Sequence, residues 1–198
     1  MLQEYLEYLN YKTKKFSKEK DIIDIIVYGS ITRGKEKPND TDIIIIFKET
    51  PLKERMIKAQ ELKELIKEKI TNSDIKTINL KEFLEEEFLS RQGIITEGIS
   101  ILDKKSLAEK LGFSGITIFT YKLKNLDHTK KTRFTYALIG RNSEGMIKIT
   151  GAKPLGKGAI EVPIKNSEIF EEFLEEWGVE YKKTKGIIEK WTKKKLSK

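Results

Sequence analysis

Two isoleucine-rich runs interrupt an otherwise polar stretch and organise the first half of the chain. Residues 21–28, DIIDIIVY, are mostly β-branched and stop at Gly29-Ser30, the pattern of a buried strand ending in a tight turn. After a connection containing Gly34, Pro38 and Asn39, the run DTDIIIIF over 40–47 predicts a second buried strand. Leu2, Tyr5, Leu6 and Leu9 precede these runs at helical spacing, and a lysine-rich connector follows over 12–20. Met56, Leu62, Leu65, Ile66 and Ile70 lie near a 3.6-residue period within 52–70, which predicts a helix covering one face of the sheet. A third strand is expected at 74–80, DIKTINL. One amphipathic helix is then expected from 82, carrying Phe83, Leu84, Phe88, Leu89, Ile94 and Ile95, ending near Glu97-Gly98 and running into ISIL.

The pattern restarts after Asp103. A short helix at 105–111 and a strand at 115–122, GITIFTYK, open a second unit. Residues 128–139, HTKKTRFTYALI, read as a helix with basic first turns, and their aromatic and β-branched content leaves a strand as the alternative. MIKITG and AIEVPI read as paired strands across the loop 151–158, followed by a helix at 167–177 and a last strand near 179–188. The lysine-rich end, WTKKKLSK, reads as a mobile tail. The sequence thus divides into residues 1–103 and 104–198.

Composition sharpens that division. Residues 1–100 hold 18 basic and 19 acidic side chains and residues 101–198 hold 21 and 12, so the halves carry −1 and +9. A basic half beside a neutral one suggests contact with a polyanion such as RNA or DNA, although 34 of the 39 basic residues are lysine and 28 isoleucines accompany them, a bias that genome composition or heat adaptation also produces. The absence of cysteine excludes disulfides, thiolate metal sites and cysteine nucleophiles, and the lone His128 weakens zinc and serine-triad chemistry. With no membrane-length apolar run and no leader-like start, the expectation is a cytoplasmic protein without a membrane partner.

The most specific constellation is Gly29-Ser30, nine intervening residues, and then Asp40-Thr41-Asp42 at a strand entrance. Side chains two apart on a strand share a face with Cα atoms about 6.8 Å apart, so both carboxylates can converge on magnesium, which prefers oxygen ligands. Gly29 permits close backbone approach, Ser30 and the N–H groups of the following turn can bind phosphate oxygens, and Arg33 and Lys35 add positive charge. Together they suggest a metal-bound nucleoside triphosphate. The sequence GAKPLGKG at 151–158 nearly matches a phosphate loop. Its last position is glycine rather than Ser or Thr, and a strand pattern follows where a helix is required, so it reads as a hairpin loop.

The segment VYGSITRGKEKPNDTDIIIIF resembles the glycine-serine and paired-aspartate motif of the DNA polymerase beta-like nucleotidyltransferase superfamily, in particular its minimal branch. EFLSRQGIITEGISIL is similar to the closing helix and edge strand of that branch, and the likeness spans about residues 20–102. It implies an α+β fold for the first half, a short mixed sheet with covering helices; the element pattern and charge of residues 104–198 add a small basic α/β domain outside the resemblance. It also implies that Gly29 and Ser30 bind triphosphate and that Asp40 and Asp42 hold two Mg2+ ions. Asp74 falls where a third carboxylate completes one metal site and helps deprotonate the acceptor. Ile31 and Thr41 depart from the usual pattern without removing a catalytic group. The implied activity is transfer of an NMP group from an NTP such as ATP to an acceptor hydroxyl, with pyrophosphate leaving. RNA, a toxin-like partner protein and a small molecule are the acceptor classes. In the second half Lys130, Lys131, Arg133 and Arg141, interleaved with Phe134 and Tyr136, are candidates for nucleic-acid contact, and His128 for a base or ligand. The alternative is a non-catalytic, antitoxin-like module that binds nucleotide or nucleic acid on the same fold.

Overall fold

Ile43, Ile44, Ile45 and Ile46 are all at or below 5 % exposure, as expected of a strand covered on both faces. They lie on β2 (Thr41–Phe47), which pairs antiparallel with β1 (Ile22–Tyr28) and parallel with β3 (Ser73–Asn79). The computed structural model describes residues 2–35, 39–141 and 143–189; Pro38 and the expected mobile tail WTKKKLSK lie outside the described residues. A two-residue edge strand, β4 (Ile99–Ser100), closes the mixed sheet in the order β3-β2-β1-β4. One face packs Ile25, Val27, Ile43, Ile45 and Phe47 against α1 (Leu2–Thr13) and α2 (Leu52–Ile66) through Leu9, Leu62 and Ile66. The other packs Ile26, Ile44, Ile46 and Ile78 against Phe83 and Ile94 from α3 (Leu80–Leu84) and α4 (Arg91–Glu97).

Two expectations for this half need correction. Met56, read as a core position of α2, is 62 % exposed, whereas Arg55 is 4 % exposed. Arg55 is buried with its guanidinium making two hydrogen bonds to Glu82, at 2.6 and 2.9 Å, a charge-assisted fork that leaves its Nε buried without a partner. The single helix expected from 82 to 97 is two. The first is closed at its start by a capping box between Asn79 and Glu82. Between the two, Arg91 Nη1 donates to the carbonyls of Leu84 and Glu85 at 2.6 and 3.0 Å, stabilising a turn that leaves Leu89 84 % exposed.

After α5 (Leu107–Lys110), the second sheet runs β6-β7-β5-β8 and is antiparallel throughout. Its strands are β5 (Phe113–Lys122), β6 (Lys153–Gly156), β7 (Ala159–Pro163) and β8 (Glu180–Glu189). This half is therefore α+β in construction rather than the expected α/β arrangement. Residues 128–139 are a helix, α6 (His128–Ile139), whose N-cap Asp127 accepts from Lys130 N at 2.8 Å. MIKITG is not a strand: residues 146–150 form α7 (Met146–Thr150), ended by Gly151 in the left-handed region. Strand β7 instead pairs with β6, where Pro154 is tolerated because β6 is an edge. GAKPLGKG, expected as the loop of a hairpin begun by MIKITG, instead supplies the first strand of that hairpin, β6, as well as its turn. Helix α8 (Ser167–Glu176) completes the layer, joining Phe170 and Phe173 to Phe119 and Phe134; the Phe134 and Phe173 rings stack at 5.4 Å.

The halves meet with no room between backbones. A Cβ on Gly115 of β5 would lie 2.1 Å from the Thr96 carbonyl oxygen, and one on Gly34 would lie 2.6 Å from that of Lys165. Buried Asp24 adds a polar tie, accepting from Ser100 Oγ at 2.7 Å and from Lys110 Nζ at 2.6 Å.

Candidate active site

Strand register alone assembles an acidic row. Tyr28, Asp42 and Asp74 are Cα partners across β1, β2 and β3, so their side chains share one face at one end of the sheet. Asp40 precedes β2 rather than lying on it and is exposed at the strand mouth. The entry to that strand is pinned by Thr41 N donating to the Asn72 carbonyl at 3.0 Å and by Asn72 Nδ2 donating to the Asn39 carbonyl at 2.6 Å. Thr41, the unusual polar residue between the aspartates, is buried at 2 % exposure.

Gly29 ends β1 at φ 89°, and a Cβ there would lie 2.4 Å from Asp42 Oδ2. The glycine is required both by its backbone and by the carboxylate that fills its missing side-chain position. The chain then winds into a short 3-10 turn, Ser30–Arg33, held by Thr32 N and Oγ1 donating to the Gly29 carbonyl at 3.2 and 2.8 Å. Ile31 and Thr32, both buried, anchor this turn in the core. Tyr28, Gly29, Ser30, Arg33, Asp40, Asp42, Ser90, Gly93 and Glu97 line a cleft of about 380 Å³.

Burial raises the Asp42 carboxyl above its ordinary range, Asp40 and Asp74 add to the rise, and Lys76 opposes it. Asp74 is paired with Lys76, whose Nζ lies 3.3 Å from its Oδ2, and it does not line the cleft. Among the described residues no group of three or more acidic or histidine side chains is assembled to hold a metal ion. The donors in the cleft still suit magnesium, an oxygen-seeking ion usually held by one or two carboxylates, with substrate phosphates and water as its other ligands. Asp40 and Asp42 would supply those carboxylates.

Arg33 does not present a free guanidinium to the cleft. Its Nη1 donates to Glu97 Oε1 at 2.8 Å and its Nε donates to Glu168 at the start of α8. Glu97 Oε2 accepts from Lys185 Nζ of β8 at 2.9 Å. Four charged groups from the turn, α4, α8 and β8 thus form one network across the two halves. Lys35 is half-buried just after the turn, its N–H donating to the Ser30 carbonyl at 3.2 Å.

Glu97 was not identified from sequence, because its partners lie 64 and 88 residues away and no local pattern marks it. Lys76 was also missed; its signal was a lysine on the isoleucine-bearing face of the sheet. In the second half Lys130 and Arg133 are exposed on α6 beside half-buried Lys131, and His128 is exposed at the start of that helix. Arg141 lies over the Tyr136 ring at 4.7 Å. Phe134 is 1 % exposed and belongs to the core, so it offers no stacking surface. No helix among the described residues is long and apolar enough to cross a membrane.

Residues 12–107 match the family model described as polymerase beta, nucleotidyltransferase. No curated protein and no solved structure matches the chain.

Proposed function

We propose, on the premise that residues 12–107 are a nucleotidyltransferase domain of the polymerase beta family, that this chain transfers a nucleotidyl group from a nucleoside triphosphate to an acceptor hydroxyl. The observation that carries the reading is the contact between turn and acidic strand: Asp42 Oδ2 occupies the space of the absent Gly29 side chain. A triphosphate held by Ser30 and the backbone of the turn then has its phosphates beside Asp40 and Asp42. Magnesium bound by these two carboxylates supplies positive charge to the triphosphate and the attacking oxygen.

The hydroxyl oxygen bonds to the α-phosphorus, the bond to the bridging oxygen breaks, and pyrophosphate leaves with the electron pair. Asp74, in register with Asp42, is the proton acceptor in this reading. Lys35 adds charge beside the turn and Arg33 fixes the turn's position. Residues 1–103 are the transferase unit and 104–198 the accessory unit. The favoured acceptor is RNA, supported by the +9 charge of residues 101–198 and by Lys130, Lys131, Arg133 and Arg141 as backbone contacts. One observation favours a non-catalytic nucleotide-binding module, namely that Asp74 pairs with Lys76.

The test is incubation with each α-phosphate-labelled NTP, Mg2+ and separate RNA and protein pools, with Asp40→Asn/Asp42→Asn as control. Label in RNA with the wild type alone is expected. Label in protein would replace the acceptor, and nucleotide binding without label in any pool would select the non-catalytic module.

A further inference from the structure

Lys76 breaks the pattern of its sheet. On β3 it pairs with Ile44, which pairs in turn with Ile26 on β1, and both isoleucines are fully buried. Strand β3 is the edge of the sheet, so the Lys76 stem can run over this apolar face while its ammonium reaches the acidic end of the sheet and water. The lysine sits one step inward from the row Tyr28, Asp42 and Asp74. Its Nζ lies 3.3 Å from Asp74 Oδ2, and its charge acts on Tyr28 and Asp42 as well. The Tyr28 hydroxyl is buried without a partner in good hydrogen-bond geometry, a costly arrangement in a folded protein, and the Lys76 ammonium offsets it by its charge and as a weak hydrogen-bond donor. Asp74 therefore has a resident cationic partner, while Asp40 and Asp42 line the cleft.

We propose that Lys76 is a built-in counter-cation of the carboxylate row, standing in for a second divalent ion, so that the chain takes one divalent ion with its nucleotide. Three carboxylates, one ammonium and one divalent ion carry no net formal charge. A second ion would have to displace the lysine from Asp74. The inference rests on the nucleotidyltransferase reading above but concerns only the number of ions.

The experiment counts Mn2+ bound to the full chain in the presence of an α,β-methylene triphosphate analogue. Equilibrium dialysis measures the total, and the electron paramagnetic resonance signal measures free Mn2+. One protein-bound ion is expected for the wild type and two for Lys76→Met, with Lys76→Gln behaving as Lys76→Met. The Lys76 side chain is 47 % exposed, and the wild-type count does not depend on whether either variant folds. Two ions on the wild type would overturn the counter-cation while leaving nucleotidyl transfer standing. An unchanged count of one in both variants would also overturn it. No bound ion on the wild type would remove the transfer reading and the counter-cation with it.

Discussion

Replacing Glu97 by alanine asks whether the two halves jointly build one wall of the cleft. The Glu97 side chain is 6 % exposed, and its two oxygens accept from Arg33 and Lys185, which are 17 % and 33 % exposed. Removing one partner of a buried pair typically costs about 3–5 kcal/mol, because the charge left behind is uncompensated. Two features reduce that figure here: Arg33 keeps Glu168, and Lys185 is exposed enough for water to screen it. We therefore expect a loss of about 2 kcal/mol, a fall in Tm of roughly 4–8 °C for a chain of this size. Urea unfolding followed by circular dichroism measures it, with Lys12→Ala as control; its partner Glu68 is 79 % exposed, so water screens that pair and the change should leave the unfolding midpoint near that of the wild type. A double-mutant cycle with Lys185→Met should return a coupling of about 1 kcal/mol. Because Glu97 also steadies the turn through Arg33, KM for the nucleotide should rise about tenfold while kcat falls less. A Glu97→Ala protein as stable as the control, or one with no coupling to Lys185, would refute the reasoning.

Asp42→Asn should abolish nucleotidyl transfer while raising the melting temperature of the metal-free protein. The raised Asp42 carboxyl means that this group's contribution to stability is present at low pH and is lost as pH rises above the ordinary carboxylate range and the group ionises; the amide removes that loss, so the melting temperature of the variant relative to wild type should be higher at pH 8 than at pH 4. Gly29→Ala, with its Cβ 2.4 Å from Asp42 Oδ2 and φ at 89°, should cost about 1–3 kcal/mol and lower transfer at least roughly a hundredfold; wild-type kinetics would contradict the contact. Replacing Lys130, Lys131 and Arg133 by alanine should reduce the slope of log affinity for RNA against log salt by about 2, as read by fluorescence anisotropy; an unchanged slope would move the interface elsewhere.

The buried strands of the first half were legible because isoleucine runs ending at Gly29-Ser30 leave few alternatives. The acidic row followed from register once those strands were paired. Other features depended on partners distant in sequence. Arg55 displaced Met56 from the core through Glu82, 27 residues away. MIKITG carries the β-branched content of a strand, yet Thr150 Oγ1 donates to the Met146 carbonyl at 2.7 Å and Asn166 Nδ2 donates to the Thr150 carbonyl at 2.9 Å. Those hydrogen bonds, with Gly151 just beyond, favour a short helix over local propensity. The helix expected across 82–97 failed because apolar spacing continues through a turn that Arg91 stabilises. Arg33 was read as a phosphate cation since loop arginines near a glycine-serine turn suit that role, and only folding brings Glu97 and Glu168 to it.

The glycine contacts between the halves also bear on modularity. At this joint Gly115 and Gly34 each meet a carbonyl where a side chain would stand, so any larger residue at either position would push the halves apart. Exchange of parts is constrained in the same way. The second half could not be grafted onto another first half unless the recipient offered a carbonyl for Gly115, a glycine opposite the Lys165 carbonyl and a carboxylate for Lys185, so the two halves should be engineered as one piece.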